Sequence, residues 1–174
     1  MNKQVVIKAY TEKWSRQFQE ESVLFKKIVG DQAIAIEHIG STSVQGLGAK
    51  PILDMMIGVR DLEEVQRFIE PLEKIGYEHV VHKEFPNRRF FRKGAWRAGT
   101  HHLHIYTYGS EEWVNNLLFR DYLRVHPTVR QQYEILKKEL AETYKFDRVA
   151  YTNAKAPFIK KVIVEARKHE KNSF

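Results

Sequence analysis

Residues 5–10 (VVIKAY) alternate apolar and polar positions with a period of two and predict a short strand. The period then lengthens. Trp14, Phe18, Phe25, Ile28 and Val29 fall near one face of a helix that Thr11 can cap and Gly30 can end. Residues 33–39 (AIAIEHI) and 51–59 (PILDMMIGV) predict two strands joined by a loop of glycines and hydroxyls. Asp61 is placed to cap a further helix, with Leu62, Val65, Ile69 and Leu72 inward before Gly76. Residues 77–83, 88–94 and 101–108 (YEHVVHK, RRFFRKG, HHLHIYTY) read as three strands separated by turn-formers, suited to an antiparallel meander. From Ser110 the period stays helical. Residues 110–125, 127–146 and 152–169 predict three helices, with Ser110 and Thr152 as caps and Pro127 and Pro157 near helix starts.

This order describes an α+β chain: a mixed β-sheet with flanking helices and a C-terminal three-helix segment. The 174 residues, 43% of them apolar, suffice for one core, so a single domain over 1–174 is expected, sheet-rich in 1–109 and helical in 110–174. With no cysteine, disulfides and thiolate metal sites are excluded. The first residues lack the length and cleavage pattern of a signal peptide, and no apolar run reaches 18 residues, so a cytoplasmic protein with no membrane partner is expected. The net charge of +7 is unevenly spread. Residues 1–86 carry 11 lysines and arginines against 13 carboxylates, and residues 87–174 carry 18 against 9. A basic second half suits a polyanionic partner or forms a solvated face.

Candidate chemistry concentrates in residues 39–56 (IGSTSVQGLGAKPILDMM). Gly40 permits close backbone approach, and Ser41, Ser43 and Lys50 suit anionic oxygen. Asp54, inside an apolar strand, is costly unless paired or bound to metal. On the strand of residues 101–108, His102 and His104 share one face and can meet Asp54 from a neighbouring strand. Arg92 lies in a run with Arg88, Arg89, Lys93 and Arg97, interleaved with Phe90, Phe91 and Trp96. That run suits a rim for nucleotide or RNA, or an edge strand protected by charge. Arg120 and Arg124, Tyr133 and Lys137, and Tyr151 and Lys155 are each one helical turn apart.

A strand ending in Gly-Ser, followed by an aspartate on the next strand, resembles the polymerase-beta-type nucleotidyltransferase signature of Gly-Ser and D-x-D. Together, HIGSTSVQGLGAKPILDMMIGV, HHLHIY, FRDYLRVHP and YTNAK resemble blocks of the GrpB family over nearly the whole chain. The resemblance implies a nucleotidyltransferase-like fold, nucleotidyl transfer from a nucleoside triphosphate, and carboxylates holding two magnesium ions. It also makes ligand-facing roles plausible for Arg120, Arg124, Tyr151 and Lys155. Position 56, where the second carboxylate would stand, is Met56. Asp54 and His104 are then the candidate catalytic groups. Asp54, His102 and His104 form a candidate metal set for one divalent ion, Mg, Mn or Zn, with imidazole favouring a transition metal.

Three functions remain open at this point: a metal-dependent nucleotidyltransferase, a catalytically inactive module binding a nucleotide or other phosphorylated small molecule, and a nucleic-acid binder. The sequence expectation is a compact ligand, with Arg120, Arg124 and Lys155 converging on the Gly-Ser loop.

Overall fold

The computed structural model describes residues 4–95 and 98–171. Helix α1 (Lys13–Val29) precedes strands β1 (Ala35–Ile39) and β2 (Leu53–Val59); a 3-10 segment (Leu62–Phe68) then leads into the short α2 (Ile69–Lys74). Strands β3 (Tyr77–Val80), β4 (Arg89–Ala95) and β5 (Ala98–Thr107) follow, then helices α3 (Glu111–Val125), α4 (Pro127–Thr143) and α5 (Arg148–Lys171). The strands form one sheet in the order β1-β2-β5-β4-β3, with β2 and β5 parallel and every other pair antiparallel. The fold is therefore mixed α+β, as the patterning predicted.

Alternation along β2 and β5 divides the molecule into two sides. Leu53, Met55, Ile57, Leu103 and Ile105 face a core shared with Trp14, Phe25 and Val29 of α1 and with Val65, Phe68 and Leu72 beyond β2. Asp54, Met56, His102 and His104, one residue out of step, point the other way. There, Met56 and Tyr106 pack with Trp113 of α3, and Phe119, Tyr133 and Val162 join α3, α4 and α5 over the loop after β1. One side of the sheet is thus a core, and the other carries a cavity roofed by helices.

Local chemistry explains the element ends. Ser110 accepts from the Trp113 amide at 3.4 Å, and Asp61 accepts from the Glu63 amide at 2.9 Å. After Asp61 the chain runs as 3-10 turns over Leu62–Phe68, and Pro71 falls in the first turn of α2, where a proline is tolerated.

Two expectations are corrected. Residues 5–10 do not form a strand: Lys8 makes an isolated bridge to Ala49, while Val5 packs with Ala141 and Tyr151. Their alternation reflects burial of one side against helices, not pairing in the sheet. Thr152 is not a cap either. Helix α5 starts at Arg148, the Asp147 carboxylate accepts from the Ala150 amide at 2.9 Å, and Pro157 lies inside the helix. An aspartate five residues upstream supplies the stronger cap.

Candidate active site

The loop after β1 owes its shape to Gly40. Its φ is +68°, and a β-carbon there would stand 2.9 Å from Asp54 Oδ2, so glycine is needed for both conformation and space. A 3-10 turn over Ser41–Ser43 follows. Ser43 is buried and its hydroxyl donates to the Gly40 carbonyl at 2.6 Å, which makes it a brace of the turn. Thr42 pairs with His38 Nε2 at 2.9 Å, and burial pushes the His38 imidazole down to about 4, so it stays neutral. Ser41 lines the cavity, where its hydroxyl meets Tyr133 and Lys137 rather than the turn.

Parallel pairing sets Asp54 opposite His102 and Met56 opposite His104. Asp54 Oδ1 lies 3.1 Å from His102 Nδ1 and 3.8 Å from His104 Nε2. Burial would raise the Asp54 carboxyl, but the His102 hydrogen bond and the nearby His104 imidazole together outweigh it and hold the group well below the usual carboxylate range. Burial lowers His104, with Asp54 opposing that shift. His102 lines the cavity, whereas His104 sits behind it with Phe90 at 5.1 Å and Tyr106 at 6.1 Å between ring centroids. His104 Nδ1 is buried without a hydrogen-bond partner. One ligand atom from each of Asp54, His102 and His104 lies within 4.8 Å of the others, close enough for one metal ion. Met56 is 0% exposed among Ile39, Tyr106 and Trp113, so an apolar pocket occupies the place of a second carboxylate.

Above this set, a cavity of about 680 Å³ gathers cations from three distant segments. Lys50 and Lys155 both approach the Tyr151 ring, with ammonium groups 5.0 and 4.8 Å from its centroid. Lys137, 1% exposed, donates to Ser41 Oγ at 2.9 Å and to the Gly48 carbonyl, and lies 4.8 Å from the Tyr133 ring centroid. Among the described residues none of these lysines has a carboxylate within ion-pair distance. Burial pushes Lys137 down to about 7, reinforced by Lys155, and Lys155 down to about 8, reinforced by Lys50; Lys50 is also lowered, chiefly by burial.

Gly40, Ser41, Lys50, Asp54, His102, Tyr151 and Lys155 therefore meet around one cavity, and Ser43, Arg92, Arg120 and Arg124 do not line it. The expected convergence of Arg120 and Arg124 on the ligand side is corrected. Arg120 is committed to Glu37 at 2.6 Å, Asp121 at 2.7 Å and the His38 carbonyl at 3.1 Å. Arg124 donates to the Ser43 carbonyl at 2.8 Å, bracing the loop from its outer side. Of the basic run on β4, Arg92 pairs with Glu78 at 2.9 Å and Lys93 with Glu21 at 2.9 Å; Arg89 reaches Glu63 at 3.3 Å. Trp96 and Arg97 lie outside the described residues. Lys137 was legible only as half of a Tyr133–Lys137 pair spaced like Tyr151–Lys155. Within its own charged segment nothing marks it as buried.

Comparison with known proteins fits this geometry. The family model described as GrpB protein matches residues 4–165. The UPF0157 protein YqkA of Bacillus subtilis is 40% identical over 169 residues, covering 97% of this chain and 49% of that protein, so the chain spans about half the length of that relative. The crystal structure of the conserved protein GrpB from Enterococcus faecalis superposes with a TM-score of 0.88 at 38% identity, covering 95% of this chain and 99% of that one. Cid1, described as a poly(U) polymerase and solved with the UTP analogue UMPNPP, superposes with a TM-score of 0.52 at 17% identity, covering 78% of this chain and 43% of Cid1. That likeness is one of fold, and it makes the fold nucleotidyltransferase-like. On family match and identity together, the chain belongs to the GrpB family.

Proposed function

We propose that the cavity binds the triphosphate of a nucleotide and that the protein transfers the nucleotidyl group to an acceptor. The observation that carries this reading is the convergence of Lys50, Lys137 and Lys155 around Ser41 and Asp54, three cations against one carboxylate that lies beyond ion-pair distance of each. Lysines depressed by burial and mutual repulsion are missing an anion, and phosphate oxygens supply one. In this reading the lysines hold the β- and γ-phosphates, the Ser41 hydroxyl donates to a phosphate oxygen, and the α-phosphate lies over Asp54. The same lysines stabilise the charge on pyrophosphate as it departs.

The donor set fits one divalent transition metal better than a magnesium pair. It offers two imidazoles and one carboxylate, with His104 Nε2 turned towards Asp54 and Met56 where a bridging carboxylate would be needed. Asp54, His102 and His104 would hold the ion, which would supply Lewis-acid polarisation of a phosphate oxygen. His104, a candidate general base in the sequence, then acts as a ligand.

Calorimetry with inorganic triphosphate and with nucleoside triphosphates, with and without manganese or zinc, tests the binding half. Transfer is read with a nucleotide labelled at the α-phosphate. The expected result is binding that falls at least tenfold in Lys137→Met; absence of binding by every triphosphate would defeat the reading. Met56 favours a second reading, binding without turnover, for which the same experiment gives full affinity and no labelled product.

A further inference from the structure

Resting on the triphosphate reading, we infer that the far end of the cavity recognises a guanine base through Glu112 and Asn115 of α3. These residues, with Asn116 and Phe119, fall at positions i, i+3, i+4 and i+7 and present one face of the helix to the cavity. They stand well away from the lysines. Asn115 Oδ1 accepts from Arg167 at 2.6 Å, and Arg167 is twelve residues, about 18 Å of helix, beyond Lys155 on α5. The three lysines thus stand at one end of the cavity, and amides and a carboxylate, with the Arg88 guanidinium, at the other. A nucleoside triphosphate has the same polarity along its length.

The chemistry of this end selects among bases. Glu112 has no cation within ion-pair distance among the described residues, and its one side-chain partner is Asn87, at 3.5 Å. Its carboxylate is an acceptor only. Guanine alone among the four common bases offers a ring N–H beside an amino group, two donors matching two carboxylate oxygens. Adenine and cytosine place a ring-nitrogen acceptor next to the amino group, and uracil flanks its ring N–H with carbonyls; each sets a lone pair against the carboxylate. The neighbouring Asn115 spends its oxygen on Arg167 and keeps its amide donors for a base carbonyl, while Asn116 is held by the Glu112 carbonyl at 2.8 Å and by the Tyr106 hydroxyl.

A stacking surface borders the same space. Phe85, more than half exposed, lines the cavity, and the Arg88 guanidinium lies 4.6 Å from its centroid and 5.2 Å from that of Phe90. Arg88 Nε is buried without a hydrogen-bond partner. An aromatic ring beside a fixed guanidinium plane suits the face of a purine.

The test compares GTP, ATP, CTP, UTP and inorganic triphosphate by calorimetry on the full chain and on Glu112→Gln, with a thermal melt confirming that the variant folds. GTP is expected to bind about tenfold more tightly than the other nucleotides, and Glu112→Gln to reduce that preference to less than about threefold while leaving inorganic triphosphate unchanged. Equal binding of all four nucleotides, a preference for another base, or a guanine preference that survives Glu112→Gln overturns the inference and leaves the triphosphate site standing. If inorganic triphosphate also fails to bind, both fall together.

Discussion

Anion binding at the lysine cluster should draw protons from solution, and the amount follows from the burial of Lys137 and Lys155. In the free protein these amines sit at about 7 and about 8, with burial the main cause. At pH 8, Lys137 is then about one-tenth protonated and Lys155 about half. Phosphate oxygens against both amines restore them towards the ordinary lysine value near 10.4, so binding takes up roughly 1.4 protons at pH 8 and about 0.1 at pH 6. The lysines' contribution to the affinity for inorganic triphosphate should therefore weaken as pH rises from 6 to 8, most steeply above 7, once the ligand's own titration, followed without protein, is subtracted. Calorimetry in HEPES, Tris and tricine, buffers of different ionisation enthalpy, reads the uptake as the slope of observed heat against that enthalpy. Lys137→Met should remove about 0.9 of a proton at pH 8. The unliganded protein responds in the opposite sense. Between about 7 and 10 the folded chain holds Lys137 neutral while the unfolded chain holds it charged, so the unfolded state binds more protons and stability rises with pH. A buffer-independent heat at pH 8, or an affinity indifferent to pH, would refute the argument that these lysines are unpaired and buried.

Gly40→Ala should cost roughly 1–3 kcal/mol in urea unfolding, from a positive φ and a β-carbon pressed against Asp54; a loss under about 0.5 kcal/mol would show that the loop yields. Met56→Asp, which writes the D-x-D pattern into the chain, should lower stability by about 3–5 kcal/mol because it buries a carboxylate among Ile39, Tyr106 and Trp113. Wild-type stability in that variant would mean that water reaches position 56.

Much of this architecture could be read from local pattern, because alternation and turn chemistry act over a few residues. The apolar run of residues 51–59 announced β2 with Asp54 inside it, and the Gly40–Ser41 pair announced the loop. The partners of cations could not be read in this way. Lys137 reaches Ser41 across 96 positions of sequence and Arg120 reaches Glu37 across 83. In sequence both look like surface charges on amphipathic helices, yet one is buried in the cavity and the other is neutralised outside it. The residues of segment 5–10 failed for a related reason: burial on one side produces the same alternation as a sheet, and only the partner distinguishes them.

The parallel pairing of β2 with β5 also bears on how the site comes into being. Strands β1 and β2 are neighbours in sequence and pair locally, as do β3, β4 and β5, so each group can form from short-range contacts. The groups join along one long-range seam, with Asp54 on one side of it and His102 and His104 on the other. Neither half carries the donor set alone, and a slip of one residue would turn the histidines to the opposite face. The site is therefore assembled by the most non-local strand pairing in the sheet. A metal ion held there would act as a clasp across the seam, slowing hydrogen exchange in β2 and β5 before anywhere else in the molecule.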